Sequence, residues 1–293
     1  MRFAEAYGPG KCGLSFELFP PKTAASEQEL FHHVQRLTTF RPDFITCTYG
    51  AGGSTRHKTL EVVEQVQSRF RIPTASHLTC VGSTVEQLRG YLAEAAQRGI
   101  ENIVALRGDP PRGESKFTPV AGGLSYANEL VELLRREFPD FGVAVAGYPE
   151  THQEAPSPKA DLENLRRKVD AGADVVITQL FYDNQDFWRF RDQCDAIGIR
   201  VPIVPGILPV TNLAQIQRIT SLCGAVLPET FRGALESAGA DSDAQFKIGV
   251  EFATEQVRAL VERGVPGIHF YVLNKSPATG SVLQSVDLAR SAS

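Results

Sequence analysis

The chain has 293 residues, 42% of them hydrophobic and 22% charged, with a formal net charge of −4. That balance argues against a broad nucleic-acid-binding face, which is normally basic, and no run of about 18 apolar residues marks a membrane-spanning helix. Cys12, Cys47, Cys80, Cys194 and Cys223 are odd in number and form no C-x-x-C pair, which speaks against a disulfide framework or a structural zinc site and for small buried thiols in a reducing cytoplasm.

Short apolar runs alternate along the chain with longer amphipathic stretches. Strands are predicted at Leu14–Leu18, Phe44–Thr48, Thr74–Leu78, Asn102–Leu106, Val143–Gly147, Val175–Gln179, Ile203–Gly206 and Ile268–Leu273. Most are near-continuous apolar segments, as expected for parallel strands buried on both faces. Helical patterns fall at Ser26–Thr39, Thr55–Arg69, Thr84–Arg98, Ser125–Phe138, Lys159–Ala171, Asn184–Ala196 and Asn212–Leu222, with a further pair at Glu229–Ser237 and Asp243–Arg263. Gly99, Gly172, Gly198 and Gly264 each follow a predicted helix and precede a strand, the position of a left-handed helix cap. Strand starts mostly recur at about 30 residues, the length of a βα unit. Eight such units without a linker-like break predict one (β/α)8 TIM barrel over residues 1–293, with extra helices before the last strand. An open Rossmann sheet would carry G-x-G-x-x-G after its first strand; here the first strand runs into Phe19-Pro20-Pro21-Lys22. The N-terminus carries no apolar h-region of a signal peptide.

In such a barrel, chemistry sits at the C-terminal ends of the strands. Glu17, among Phe16, Leu18 and Phe19, is expected to be poorly hydrated, which would raise its pKa towards that of a general acid; a structural Glu paired with a cation is the alternative. After strand two, Thr48 leads into Gly50, Gly52, Gly53 and Ser54, which reads as an anion-binding helix start or as a tight turn capped by Ser54. His77 ends strand three as a site or a core residue. Leu106-Arg107-Gly108-Asp109-Pro110-Pro111 is a stiff charged loop at strand four and reads as a site. Strand five leads into Tyr148 and His152, and Gln179 is a neutral amide in an otherwise apolar strand six, in need of a partner. Asp161, Asn164, Arg167 and Lys168 lie near one face of the helix after strand five, a solvated stripe unless the His152 loop gives it a ligand. No H-E-x-x-H, G-x-S-x-G or strand-six lysine supports a metal, serine-hydrolase or Schiff-base reading.

The segments SFELFPPK, TYGAGGSTR, HLTC, LRGDPP, GYPETH, DLENLRRKVDAGAD, ITQLFYD, PGILPV and HFYVLNK occur in that order, each at a predicted strand end or just after. Together they resemble the methylenetetrahydrofolate reductase family along almost the whole chain. The resemblance implies a noncovalent FAD at the barrel mouth, reduced by NAD(P)H, with the folate then binding in the same place. It makes Glu17 the general acid that opens the ring of 5,10-methylenetetrahydrofolate, with hydride passing from flavin N5 to give 5-methyltetrahydrofolate. It places Asp109 beside pterin and flavin and makes Gln179 a second pterin contact. Thr48, His77, Leu106, Arg107, Gly108, Asp109, Tyr126, Ala127, Tyr148, His152, Asp161, Asn164, Arg167 and Lys168 fall on the family's FAD positions. Ile219 and Lys275 fall on ligand-binding positions as departures, where an aromatic and an Arg are found in relatives. The chain stops shortly after the barrel, so control by S-adenosylmethionine is not expected. A homo-oligomer is compatible with the sequence; nucleic acid and membrane are not expected partners. Another FAD barrel oxidoreductase of the proline dehydrogenase kind, or a non-catalytic barrel binding protein, are the competing readings.

Overall fold

The computed structural model describes residues 1–8, 10–49, 56–110, 113 and 116–288. Eight parallel strands close into a barrel in sequence order: β1 (Gly13–Leu18), β2 (Phe44–Cys47), β3 (Thr74–Thr79), β4 (Asn102–Leu106), β5 (Gly142–Gly147), β6 (Val175–Leu180), β7 (Ile203–Ile207) and β8 (Gly267–Tyr271). The helices are α1 (Phe3–Ala6), α2 (Ala24–Thr38), α3 (Arg56–Phe70), α4 (Val85–Gln97), α5 (Ala127–Glu137), α6 (Pro158–Asp170), α7 (Asn184–Ala196), α8 (Leu213–Cys223), α9 (Glu229–Ser237), α10 (Ser242–Glu262) and α11 (Pro277–Ser285). The predicted barrel and the helices before the last strand are therefore present. The short α1 and the closing α11 were not anticipated, and the predicted last strand is too long. It ends at Tyr271 because Leu273 and Asn274 adopt left-handed backbone, φ 48° and 59°, which no strand accommodates.

Side chains alternate across each strand, so the barrel has two apolar compartments. Outward residues such as Leu14, Phe16 and Leu18 pack with the helices in the larger cluster. Inward residues Phe44, Ala75, Val104, Ala144, Val175, Ile177 and Val204 form a second cluster with Phe3, Ala6 and Tyr7 of the N-terminal turn. That turn closes the N-terminal end of the barrel. The Phe3 and Tyr7 rings meet Phe44 edge-on at 4.8 and 5.4 Å, and the Phe3 N–H donates to Asn102 Oδ1 at 3.0 Å. Gly13 and Gly267 make room for the Tyr7 ring: a Cβ on either would come within 2.7 Å of it.

Candidate active site

Glu17 points into the C-terminal half of the barrel and is 7% exposed. The sequence attributed its burial to Phe16, Leu18 and Phe19; the structure corrects this. Phe16 and Leu18 face the helical shell and Phe19 is exposed, because neighbours along a strand point to opposite faces. What surrounds the carboxylate comes from other strands. The Nε2 atoms of His77 on β3 and His269 on β8 approach the same oxygen, Oε2, at 3.3 and 3.6 Å. Burial lowers the His77 pKa, so the ring is neutral at neutral pH. Thr46 on β2 stands in register with Glu17, and its Oγ1 is buried with no hydrogen-bond partner among the described residues. Tyr271 is in register on the other side and donates its hydroxyl to Thr178 O at 2.7 Å. Its ring crosses Gly206, where a Cβ would lie 2.6 Å from the ring and 2.3 Å from Thr178 O. The β6–β7 register shifts between Ile177 and Leu180, and half-buried Gln179 sits there with its Oε1 accepting from Leu180 N–H at 2.9 Å. The loop after β8 clamps the exit of β1: Asn274 accepts from Phe19 N–H at 2.8 Å and donates to Phe19 O at 2.9 Å.

A second group lines the mouth over β3 to β6. Gly108 has φ 89°, and a Cβ there would strike Val81 at 2.8 Å, so only glycine fits. Leu106 packs on the interior cluster, and Asp109 beyond it is exposed. Arg107 is engaged rather than free: it forms a two-pronged pair with Glu154 at 2.6 and 2.9 Å, with Phe117 5.1 Å beneath the guanidinium. That pairing holds the Glu154 carboxyl below its usual range. Tyr148 and His152 meet edge-on at 4.6 Å, and the His152 N–H donates to Asp161 at 2.9 Å. Lys168 donates to Ala146 O at 2.6 Å, and burial pulls its pKa down to about 8. Its ammonium is thus a desolvated cation that, among the described residues, forms no ion pair with a carboxylate, although the Asp161 charge acts on it. Thr79 Oγ1 is a further buried atom without a hydrogen-bond partner among the described residues.

The predicted site residues divide accordingly. Glu17 and His77 meet inside the barrel; Tyr148, His152, Asp161 and Lys168 meet at the mouth over β5. Thr48 is half-buried just after β2. Tyr126 caps α5 and is exposed, and Ala127 begins that helix. Asn164 and Arg167 are exposed on α6 and bond each other at 2.9 Å, so the predicted face splits, with only Asp161 and Lys168 turned inward. Ile219 packs in a separate cluster around Tyr182 and Leu208, and Lys275 is exposed after β8. The glycines 50, 52 and 53 and Ser54 lie outside the described residues. Sequence reasoning had assigned no role to His269, Tyr271, Glu154 or Asn274; only their strand-end positions, or in the case of Glu154 a loop at the same face, could have signalled them.

A closed parallel barrel whose buried polar groups gather at the C-terminal ends of the strands defines a (β/α)8-barrel protein with its site on the face where this fold carries its chemistry. A protein from Clostridium thermocellum, described as binding two copies of 5-methyl-5,6,7,8-tetrahydrofolic acid, has the same fold, with a TM-score of 0.62 at 15% identity over 96% of this chain and 94% of that one. The chain belongs to the methylenetetrahydrofolate reductase family, which it matches over residues 2–287. The 5,10-methylenetetrahydrofolate reductase of Escherichia coli is 39% identical over 94% of this chain and 91% of its own. Methylenetetrahydrofolate reductase (NADH) 1 of Zea mays is 39% identical over 98% of this chain. The chain spans about half the length of the plant relatives it matches, 50% for that of Zea mays and 49% for that of Arabidopsis thaliana.

Proposed function

We propose that residues 1–293 form one catalytic unit, acting in the cytoplasm, that reduces 5,10-methylenetetrahydrofolate to 5-methyltetrahydrofolate with NAD(P)H as reductant and FAD as cofactor. The observation that carries this is Glu17, a carboxylate sunk between two imidazoles at the C-terminal end of β1. The bridge between N5 and N10 of the substrate opens only when a nitrogen is protonated. Glu17 is placed to keep a proton out of bulk water and hand it to that nitrogen. The exposed carboxylate of Asp109 at the mouth would favour the cation left after opening, and Gln179 offers an amide for the pterin edge. FAD, when bound, would take hydride from the nicotinamide and pass it to the one-carbon unit.

The mouth fits such a cofactor. Lys168 has a desolvated charge that a pyrophosphate would balance, Thr79 has a hydroxyl without a partner among the described residues, and α5 starts beside it at Tyr126, whose own N–H is held by Glu129, and Ala127. Thr48, His77, Leu106, Gly108, Tyr148, His152 and Asp161 would complete the cradle, and Arg107 would join it in exchange for, or together with, Glu154. The test is anaerobic. Purified protein should be yellow, NADH should bleach it, and methylenetetrahydrofolate should restore the colour. Glu17→Gln should slow the second half-reaction by about 10²–10⁴-fold and leave the first within a few-fold of the parent. A protein that bleaches but stays reduced with that folate overturns the reading.

A further inference from the structure

The side of Glu17 away from the opening carries a line of buried polar groups. Tyr7 OH lies 2.7 Å from Ser15 Oγ, and Ser15 Oγ lies 2.7 Å from His269 Nδ1. His269 Nε2 then faces Glu17 Oε2 at 3.6 Å. Tyr7, Ser15 and His269 are each at most 1% exposed. The direction of the line follows from its far end. Burial pushes the Tyr7 pKa far above its ordinary value, so the phenol keeps its proton. Among the described residues its hydrogen-bonding neighbour is Ser15 Oγ, and a buried O–H with one such neighbour must donate to it. Ser15 then gives its own proton to His269 Nδ1, which becomes an acceptor. With one proton on the ring, that proton is left on Nε2, aimed at Glu17.

We propose that His269 is a positioning residue for proton transfer by Glu17, with Ser15 and Tyr7 fixing its tautomer; this rests on the reading of Glu17 as the acid. The Nε2–H, with His77 Nε2 on the same side, draws negative charge towards Oε2 at 3.6 Å without a hydrogen bond, which leaves Oε1 to carry the transferable proton. It also offers the carboxylate a donor once that proton has gone, so reprotonation is matched to turnover. Other titratable groups that feel the Glu17 charge are His77 on β3 and Tyr271 on β8, which face it, and Cys47 on the outer side of β2, while Asp43 and Cys12 lie near Tyr7. Burial holds the Cys47 thiol and the Tyr271 phenol well above their ordinary values, so neither exchanges protons near neutrality.

Two measurements test the wiring. ¹⁵N-histidine NMR of the flavin-loaded protein, with the His269 resonances identified by their loss in His269→Phe, should show a neutral ring protonated on Nε2. Ser15→Ala should move the Nδ1 shift, because its donor is gone, and the pattern should survive Glu17→Gln. The second is the pH profile of flavin reoxidation by methylenetetrahydrofolate. A donor to the charged carboxylate favours that form, so its removal favours the acid. In His269→Phe the decline of rate on the alkaline side should therefore move up by about one pH unit. Tyr7→Phe should move it less in the same direction, and His269→Gln, which keeps an N–H near that place, should restore most of it. A proton on Nδ1, or a profile that drops in height without moving, overturns the inference. If Glu17→Gln reoxidises normally, the reading of Glu17 as the acid fails, while the NMR still decides the tautomer.

Discussion

The two ends of the barrel interior are built from the same eight strands and could hardly differ more. At the N-terminal end the lumen holds Phe44, Val104, Val175 and Val204 around the Phe3 and Tyr7 plug. Burial there follows the plain rule of apolar area removed from water. At the other end, two to four residues further along the strands, it holds Glu17, Thr46, His77, Gln179, His269 and Tyr271, some with hydrogen-bonding capacity left over. Desolvated polar groups without full partners cost stability, so the upper end is where this fold has exchanged stability for chemistry. The lower end is what makes that exchange sustainable.

If that division is right, substitutions at the two ends should separate into stability effects below and binding or pH effects above. The largest effect is expected at the plug: Phe3→Ala should cost about 3–5 kcal/mol, read as a lower midpoint in denaturant. A loss under 1 kcal/mol would show that α1 is an accessory rather than a closure. Next, Lys168→Met should weaken FAD binding about tenfold to a hundredfold. Since Lys168 titrates near 8 without an anion and a bound phosphate would raise it, FAD binding at pH 8–9 should take up a proton in the parent but not in the variant. Calorimetry in buffers of different ionisation heat reads this directly.

Smaller effects sharpen the comparison. Burial raises Glu150 to about 7, while its carboxylate accepts from Val226 N–H at 2.9 Å. A raised folded pKa means stability fully present below the unfolded value and lost as pH climbs through 7. Glu150→Gln keeps an acceptor without the charge. It should therefore leave stability unchanged near pH 4 and raise it by about 1 kcal/mol at pH 8, after allowance for solvent screening. Last, Thr46→Val removes a buried hydroxyl with no partner among the described residues and should be neutral to about 1 kcal/mol stabilising. A clear loss would mean that the hydroxyl has a partner in solution.

Much of the architecture was readable because parallel strands buried on both faces leave a repeating apolar signature, and all eight were located to within a residue or two. The plug was not: four residues are too few to show a helical period, and its energy comes from strands at the far side of the sequence. Glu17 was singled out as buried for a reason that failed, since Phe16 and Leu18 face the other way. Its true neighbours, His77 and His269, are 60 and 252 positions away, and no local pattern announces them. At Arg107 the sequence shows a charge but not its pairing; Glu154 already holds it.

The Asn274 clamp on Phe19 ties the beginning of the barrel to its end. During synthesis, strand one leaves the ribosome with Glu17 uncovered, and the histidine and asparagine that enclose it emerge about 250 residues later. The reactive pocket thus comes into being in one late event, when the seam between first and last strands is sewn, and a chain interrupted before that point would carry most of the barrel yet none of the finished chamber.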